Sequence, residues 1–168
     1  MSVFAFLAAI GAAPFARGVF DVVWGEGALY SIGFRNGVRV CADLVQPRGY
    51  LAASEAVWID PNPPGEVRSW WDAVYPDIGG IDRKLGDVQA AGFAVVGRFT
   101  LPATSWLDHY YAPMRTRPAT PRELWARDVV GLDLIAQFDL EISMFERFGH
   151  AYGYKFIVGR RLDRPQRP

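Results

Sequence analysis

The sequence predicts an α/β fold, in which a partly parallel sheet carries flanking helices and ends in an antiparallel strand. Short β-branched apolar runs alternate with segments of helical periodicity, and the first two runs enclose one helix and a tight turn, as in a βαβ unit. The last run mixes apolar and polar residues, which favours an antiparallel strand at or near an edge. The chain has 168 residues, of which 51% are apolar, so we expect a single domain over residues 1–168.

The first strand is predicted at residues 20–24 ("FDVVW"), because an apolar run without alternation is typical of a strand covered on both faces. Residues 34–45 follow, with apolar side chains at helical spacing. The turn "QPRG" ends this helix, and residues 50–58 ("YLAASEAVW") form the second predicted strand. A right-handed crossover should therefore join two parallel neighbours.

The middle of the chain predicts two helices and a third strand. A proline-rich loop precedes the first of these helices, which covers residues 66–75 with Asn62 as its cap. The second helix covers residues 80–91 and ends at Gly92. Residues 93–102 ("FAVVGRFTLP") are the third strand, and the aromatic stretch "SWLDHYYAPM" that follows is a short helix or a loop.

A capping signal marks the start of the last predicted helix. Thr120, Pro121 and Glu123 match a threonine cap, a proline at the first helical position and a glutamate three residues after the cap. We expect this helix to continue to about Phe148. The last strand is predicted at residues 152–161 ("YGYKFIVGRR").

The two ends and the composition exclude several classes of protein. Residues 1–13 are apolar but lack the basic start of a signal peptide and the length of a membrane span, so we expect a strand leading into a loop. Residues 162–168 are a solvated tail. The formal net charge is +0 and no basic face is evident outside the tail, which argues against a nucleic-acid partner.

The single cysteine, Cys41, excludes an intrachain disulfide and a thiolate metal cluster. We interpret it as a small buried hydrophobic residue, and one reduced cysteine agrees with a cytoplasmic protein. The sequence shows no metal-ligand spacing, no serine nucleophile elbow and no phosphate-binding loop, so neither a metal nor a membrane partner is expected.

Four stretches occur in an order that resembles a known family: "APFARGVFDVVWGEGALYSIGF", "LVQPRGYLAASEAVW", "AAGFAVVGRFTLP" and "SWLDHYYAPM". Together they resemble the C-terminal half of a class I S-adenosylmethionine-dependent methyltransferase, of the bacterial small-molecule methyltransferase-11 type, over residues 14–161. The resemblance implies a Rossmann-like sheet of order 3-2-1-4-5-7-6 with strand 7 antiparallel. The four strands predicted here would be equivalent to strands 4, 5, 6 and 7, in the spatial order 4-5-7-6.

The resemblance implies S-adenosylmethionine as cofactor, and methyl transfer to a small molecule as the activity. The family binds the cofactor mainly through a glycine-rich loop after strand 1 and an acid that ends strand 2, and this sequence shows neither. Gly25 and Gly27 follow a strand, but Tyr30 occupies the third glycine position, and Gly11 stands near the place of an adenine-contacting acid. We therefore expect an enzyme that is incomplete or needs a partner. The alternatives are a catalytically inactive small-molecule-binding module and a truncated fragment.

Without a strand 1 equivalent, the strand at residues 20–24 would present an open edge. Three arrangements would cover it: the apolar N-terminal segment folds back, two copies pair as a homodimer, or a separate polypeptide supplies the complementing N-terminal half.

The loop after the first strand supplies candidate site residues. The matching loop in the family implies that Trp24, Gly25 and Glu26 lie near the cofactor. Glu26 follows the carboxyl end of the strand, where open α/β sheets bind ligands, so it is also a catalytic candidate; the alternative is that it caps the following helix. Tyr30 either forms a wall of the substrate pocket or packs with a hydrogen-bonded hydroxyl.

Glu55 lies between apolar neighbours in the second strand, where a carboxylate is costly unless it is paired. Either it points into the substrate pocket as a catalytic group with a raised pKa, with Trp58 at the same mouth, or it pairs with a buried arginine such as Arg98.

The segment "SWLDHYYAP" brings Trp106, His109, Tyr110 and Tyr111 together. Trp106 and the two tyrosines would form a lid over an aromatic or cationic small molecule, or else bury their rings against the sheet. His109 is a candidate catalytic base by residue type alone.

Overall fold

The computed structural model describes residues 15–113 and 128–163. The strand expected near the N-terminus, Gly11 and the Thr120 cap lie outside the described residues. Within the described ranges, no helix is both long and apolar enough to cross a membrane.

The sheet has five strands in the order β1-β2-β5-β4, with the short β3 paired to β2 outside this path. β1 and β2 are parallel, whereas β5 is antiparallel to both β2 and β4. This confirms the predicted partial Rossmann-like order and the antiparallel last strand; β3 was not predicted. The strands are β1 (Phe20–Glu26), β2 (Val45–Trp58), β3 (Gly79–Gly80), β4 (Phe93–Thr100) and β5 (Tyr152–Arg161).

The helices follow the predicted order along the chain. A 3-10 helix covers Leu29–Ile32, and the aromatic stretch after β4 continues from a short helical turn into a π-helical segment, Leu107–Tyr111. The α-helices are α1 (Phe34–Leu44), α2 (Gly65–Val74), α3 (Ile81–Ala90), the short α4 (Thr104–Trp106) and α5 (Val129–Phe148).

The helix ends only partly follow the predicted signals. Gly92 has φ +88° directly after α3, as a C-terminal glycine requires. Asn62 as a cap is wrong: α2 begins after Pro64 without a side-chain cap, and the backbone N–H of Asn62 instead donates to Asp60. At the start of α5, the Asp128 side chain accepts a hydrogen bond from the backbone N–H of Val130.

One face of the sheet is closed by α1 and α3. Leu51 and Ala53 of β2 pack there against Val38 of α1 and Val88 of α3, and all four side chains are buried. Cys41 lies in the same cluster with 2% of its surface exposed, as predicted, and burial raises the pKa of its thiol to about 11. Alternation along β2 sends every second side chain to this face.

The other face is covered along only part of its length. Near the carboxyl ends of β1 and β2, an aromatic cluster from α2, α5 and the π-helical segment packs over Ala56 and Tyr152.

Towards the other end of the strands, Val22, Trp24, Tyr50 and Phe99 are exposed around a shallow apolar depression of about 450 Å³, and we call these four residues the open sheet face. Among the described residues no strand pairs with the outer edge of β1, which agrees with the expected open edge.

Candidate functional site

A cleft of about 790 Å³ lies over the carboxyl ends of β1 and β2, on the same side of the sheet as the open sheet face. Ligands of open α/β sheets bind at this end of the strands. The turn after β1 is fixed by a hydrogen bond from the backbone N–H of Gly27 to Ser54 Oγ (3.0 Å), with Gly27 at φ +51°. This turn places Glu26 at the mouth of the cleft, where it borders both surfaces.

The walls of the cleft are aromatic. Trp106 is central, since its ring centroid lies 4.6 Å from that of Tyr154 and 5.8 Å from those of both Tyr110 and Tyr111. Ten aromatic side chains reach the surface of the cleft, from the 3-10 helix, α2 and the residue after it, α4, the π-helical segment, α5 and β5. These are Tyr30, Trp70, Trp71, Tyr75, Trp106, Tyr110, Tyr111, Phe138, Tyr152 and Tyr154.

Two carboxylates are the charged groups of the described lining, and no lysine, arginine or histidine is among those residues. Glu26 accepts a hydrogen bond from the Trp24 indole N–H (2.7 Å). Glu141 of α5 accepts one from the Tyr111 hydroxyl (3.0 Å), and burial of this carboxyl raises its pKa above the ordinary value. The cleft therefore has an acidic and aromatic character.

Two further polar atoms of the lining residues are buried without a partner among the described residues. These are Trp71 Nε1 and the Tyr152 hydroxyl. Only 8% of Trp71 and 3% of Tyr152 is exposed, and their ring centroids are 5.1 Å apart. A buried donor without an acceptor costs about 1–3 kcal/mol of folding free energy, so a ligand that accepts hydrogen bonds from these atoms would recover this cost.

Glu55 lies beneath the cleft rather than in it. Its Oε1 accepts hydrogen bonds from the Tyr75 hydroxyl (2.5 Å) and from Lys84 Nζ (3.1 Å), and Lys84 also donates to the Asp77 carbonyl (2.9 Å). The predicted pairing with Arg98 is wrong: Arg98 is exposed, and α3 presents Lys84 to Glu55 on the opposite face of the sheet.

Burial dominates the titration of this pair. It raises the pKa of Glu55 and lowers that of Lys84, and each shift is opposed by the charge of the other group. Burial and the neighbouring Glu55 likewise raise the pKa of Tyr75, so the Tyr75 hydroxyl is held as a donor. The side chain of Tyr75 thus connects the buried pair to the cleft wall.

The structure brings some of the predicted site residues together. Glu26, Tyr30, Trp106, Tyr110 and Tyr111 all line the cleft.

Other predicted site residues lie elsewhere. Trp24 borders the open sheet face, with Gly25 between it and Glu26 in β1. Trp58 packs behind the wall against Trp71 and Tyr152, with ring centroids 6.4 Å apart in each case. His109 is exposed on the π-helical segment and is not among the lining residues, so its role as a base stays a prediction without support from the geometry.

The suggestion that Glu26 caps the next helix is wrong, because the 3-10 helix begins after Ala28 and has no side-chain cap.

Sequence reasoning missed Glu141, Trp71, Tyr75, Tyr152 and Tyr154 as parts of the site. The signal for Glu141 was an acid flanked directly by Leu140 and Ile142 in "DLEISMF", within the predicted long helix. The tyrosines of β5 alternate with residues of the opposite face, which marks Tyr152 and Tyr154 as members of one face.

Solved structures share this fold at low sequence identity. An S-adenosylmethionine-dependent methyltransferase from Geobacter sulfurreducens, in complex with S-adenosyl-L-homocysteine, matches 92% of this chain with 63% of its own, at a TM-score of 0.69 and 17% identity. Geranyl diphosphate C-methyltransferase from Streptomyces coelicolor A3(2) matches 92% of this chain with 52% of its own, at a TM-score of 0.58 and 13% identity. The 4+2 cyclase SpnF matches 92% of this chain with 54% of its own, at a TM-score of 0.63 and 19% identity. Neither a family model nor a curated protein matches the chain.

The fold is that of the C-terminal half of a class I methyltransferase. The chain spans about half of the length of the solved structures that it matches, and the predicted strand equivalences to 4-5-7-6 agree with the observed sheet.

The described residues fit S-adenosylmethionine only along one side. Glu26 offers a carboxylate acceptor at the end of β1, next to the cleft. The turn after β1 carries Gly25 and Gly27 but has Tyr30 at the third glycine position, and Glu26 is the one strand-end acid in the described lining of the cleft. The described chain therefore provides an aromatic cleft with a carboxylate at its mouth, and a full cradle for the cofactor is not among the described residues.

Proposed function

We propose that this chain forms the acceptor-binding side of an S-adenosylmethionine-dependent methyltransferase that acts on a small molecule held in the aromatic cleft. The observation that carries the proposal is the cleft itself, a partly open aromatic cavity over the carboxyl ends of β1 and β2 in a chain with a methyltransferase fold. Its volume of about 790 Å³ falls within the range of about 300–1,000 Å³ typical of small-molecule sites.

Methyl transfer is an in-line displacement that depends mainly on alignment and a dry pocket. S-Adenosylmethionine, when bound, supplies an electrophilic methyl group. The residues of this chain would do the rest: the rings around Trp106 exclude water and hold the acceptor, while Glu26 at the mouth faces the side from which the donor must approach. Glu141 can hold a proton inside the cleft, because burial raises its pKa.

We further propose that the donor side comes from polypeptide that pairs along the outer edge of β1, either in a second copy of this chain or in a separate, complementing chain. The open edge and the exposed apolar side chains of Val22 and Trp24 support this proposal, since an unpaired strand with apolar faces is a template for association. A cytoplasmic location stays a prediction from the single cysteine.

A second candidate function is a small-molecule-binding module without catalysis. It is favoured by the absence of a cofactor cradle among the described residues, and by SpnF, whose name records another reaction on the same fold. The truncated fragment remains the third alternative, and it predicts a broad unfolding transition instead of a cooperative one.

The test is calorimetric titration of the purified chain with S-adenosylmethionine, with the oligomeric state measured in the same buffer. Micromolar binding that is weakened by Glu26→Gln and unchanged in Glu66→Gln would support the enzyme, because Glu66 forms an exposed pair with Arg147 outside the cleft. Cooperative unfolding without any binding, by the chain alone and by the chain with its complementing partner, would favour the binding module.

A further inference from the structure

The chemistry of the cleft selects a class of ligand. Its described lining combines ten aromatic side chains with two carboxylates and contains no cationic side chain. A ligand with a carboxylate or phosphate as its main charge would meet repulsion from Glu26 and Glu141 and find no partner among these residues.

We propose that the ligand of the cleft is a small organic cation, an amine or a quaternary ammonium, that also carries an oxygen acceptor. This deepens the proposed function and rests on it for the chemistry, although not for the binding: an amine that has lost its proton would be the methyl acceptor in the same cleft, and a quaternary ammonium would be the methylated product.

The aromatic walls suit a cation. A positive charge within about 6 Å of an aromatic ring is attracted by the electron-rich face, with tryptophan the strongest partner. The ring centroid of Trp106 lies 4.6–5.8 Å from those of Tyr110, Tyr111 and Tyr154. Tyr110 and Tyr154 meet the Trp106 ring at steep angles and Tyr111 stacks on it, so the wall of the cleft offers both ring faces and ring edges to a cation.

Glu141 supplies the counter-charge within the cleft. Its Oε1 accepts one hydrogen bond, from the Tyr111 hydroxyl, and its side chain lies among tyrosines whose hydroxyls are neutral. Glu141 is half-buried and has no cationic partner among residues 15–113 and 128–163, so a ligand that brings a positive charge would stabilise its carboxylate. Glu26 adds a second negative charge at the mouth, which would favour entry of a cation.

Trp71 and Tyr152 account for the oxygen acceptor. The indole N–H of Trp71 can only donate a hydrogen bond. It is buried next to the ring of Tyr152 and has no acceptor among the described residues. An alcohol, ether or carbonyl oxygen on the ligand would satisfy this donor, and the Tyr152 hydroxyl can donate to the same oxygen.

The experiment uses three probes of similar size: choline, its neutral isostere in which carbon replaces the ammonium nitrogen, and tetramethylammonium, which keeps the charge and lacks the hydroxyl. Each is titrated into the full chain, without S-adenosylmethionine, over a pH series up to about pH 8, because burial raises the pKa of Glu141 and its ionised fraction therefore increases as pH rises. Tryptophan fluorescence is the readout, since Trp70, Trp71 and Trp106 line the cleft. We expect choline to bind at least about tenfold more tightly than its neutral isostere, because only choline can form a cation–π contact with the rings and an ion pair with a carboxylate.

Variants separate the two parts of the proposal. Glu141→Gln should weaken choline about tenfold and leave the neutral isostere unchanged, because it removes the charge and keeps an acceptor for Tyr111. Tyr152→Phe should weaken choline several-fold and leave tetramethylammonium unchanged, because only the hydroxyl is lost. Glu66→Gln is the matched control for loss of a remote carboxylate, and circular dichroism verifies that each variant is folded.

Equal affinity for choline and its neutral isostere would overturn the proposal, as would choline binding that ignores Glu141→Gln or failure of all three probes to bind. Because no cofactor is present, these outcomes are distinct from the test of methyl transfer. Choline binding without S-adenosylmethionine binding, by the chain alone and by the chain with its complementing partner, would sustain the ligand class and favour the binding module over the enzyme.

Discussion

At the scale of single residues, Glu141 shows a conflict between stability and ligand binding. Its pKa is raised chiefly by burial, so the folded state binds its proton more tightly than the unfolded state does. The protonated Glu141 side chain therefore contributes to the free energy of unfolding below the ordinary pKa of glutamic acid. This contribution is lost as pH rises through the raised pKa of the folded state. Burial also raises the pKa values of Tyr110, Tyr111, Tyr152 and Tyr154, so these neighbours stay neutral in that window.

We therefore expect Glu141→Gln to be more stable than the wild type at about pH 8, by roughly 1–2 kcal/mol, and equally stable at about pH 4. Glutamine does not ionise and can still accept the hydrogen bond of the Tyr111 hydroxyl. Urea unfolding at both pH values measures the difference. A variant that is less stable than the wild type at the higher pH would show that the carboxylate is well solvated or paired, contrary to this account.

The residues of the site were predictable from sequence where the evidence was local. Tyr110 and Tyr111 follow Trp106 within one short segment, and Glu26 follows its strand directly, so their roles could be inferred from neighbours in the chain. Glu141 could not, because its surroundings come from the π-helical segment and β5. The partner of Glu55 is 29 residues away in sequence, and the choice of Lys84 over Arg98 depends on which sheet face each strand position takes.

At the scale of elements, the Glu55–Lys84 pair joins the central strand β2 to α3. The exposed side-chain fractions are 1% for Glu55 and 0% for Lys84, so removal of one partner leaves a buried charge. We expect Lys84→Met to destabilise the fold by about 3–5 kcal/mol, and the double variant Glu55→Gln with Lys84→Met to recover part of this loss. Urea unfolding of the two single variants and the double variant gives the coupling free energy; additive effects would mean that the pair does not act as a unit.

The pairing of β1 with β2 depends on a glycine that the sequence gave no reason to single out. A Cβ atom at Gly49 would lie 2.7 Å from the backbone oxygen of Asp21 in β1 and 2.9 Å from a methyl carbon of Val45. Both neighbours belong to strands, so neither can move without disturbing the parallel ladder, which is irregular between Phe20 and Val22.

Gly49→Ala should therefore destabilise the protein by about 1–3 kcal/mol, the usual cost of overpacking. The same substitution at Gly86 is the control, since a Cβ atom there meets no atom within 4 Å and Gly86 lies inside α3. Gly86→Ala should stabilise by about 0.5–1 kcal/mol through helix propensity. Thermal unfolding of both variants tests the contrast, and a loss of equal size at the two glycines would refute the steric explanation.

Element positions followed from periodicity more reliably than element boundaries did. β2 was predicted from Tyr50 onward but begins at Val45, because pairing with Phe20 of β1 extends the strand through "QPRG" despite its proline. The predicted end of the last helix at Phe148 is confirmed, whereas its predicted start lies outside the described residues. Tertiary pairing thus overrides local turn signals where a neighbouring strand is available.

At the scale of the whole molecule, the two faces of the sheet are unequal. α1 and α3 cover one face. On the other face, the aromatic cluster covers the end that carries the cleft, and the open sheet face is uncovered. Apolar side chains exposed side by side on a sheet mark an interaction surface, and β1 adds an unpaired backbone edge among the described residues. The fold matches about half of the length of solved methyltransferases, and the order of the strands in the sheet could be inferred from that resemblance, since periodicity does not show which strands are neighbours.

The association proposed along β1 is tested by a charge placed on the open sheet face. Val22 is 45% exposed there, so Val22→Lys should leave the fold intact but oppose burial of this face against a partner. We expect sedimentation velocity to show wild-type association that increases with concentration, and at least about tenfold weaker association in the variant. Val129→Lys is the control, because Val129 is 81% exposed at the start of α5, away from the sheet. If the wild type is a monomer at every concentration, a second copy does not complete the site, and only the separate complementing chain is left as the proposed source of the donor side. If both variants weaken association equally, the contact is not at β1.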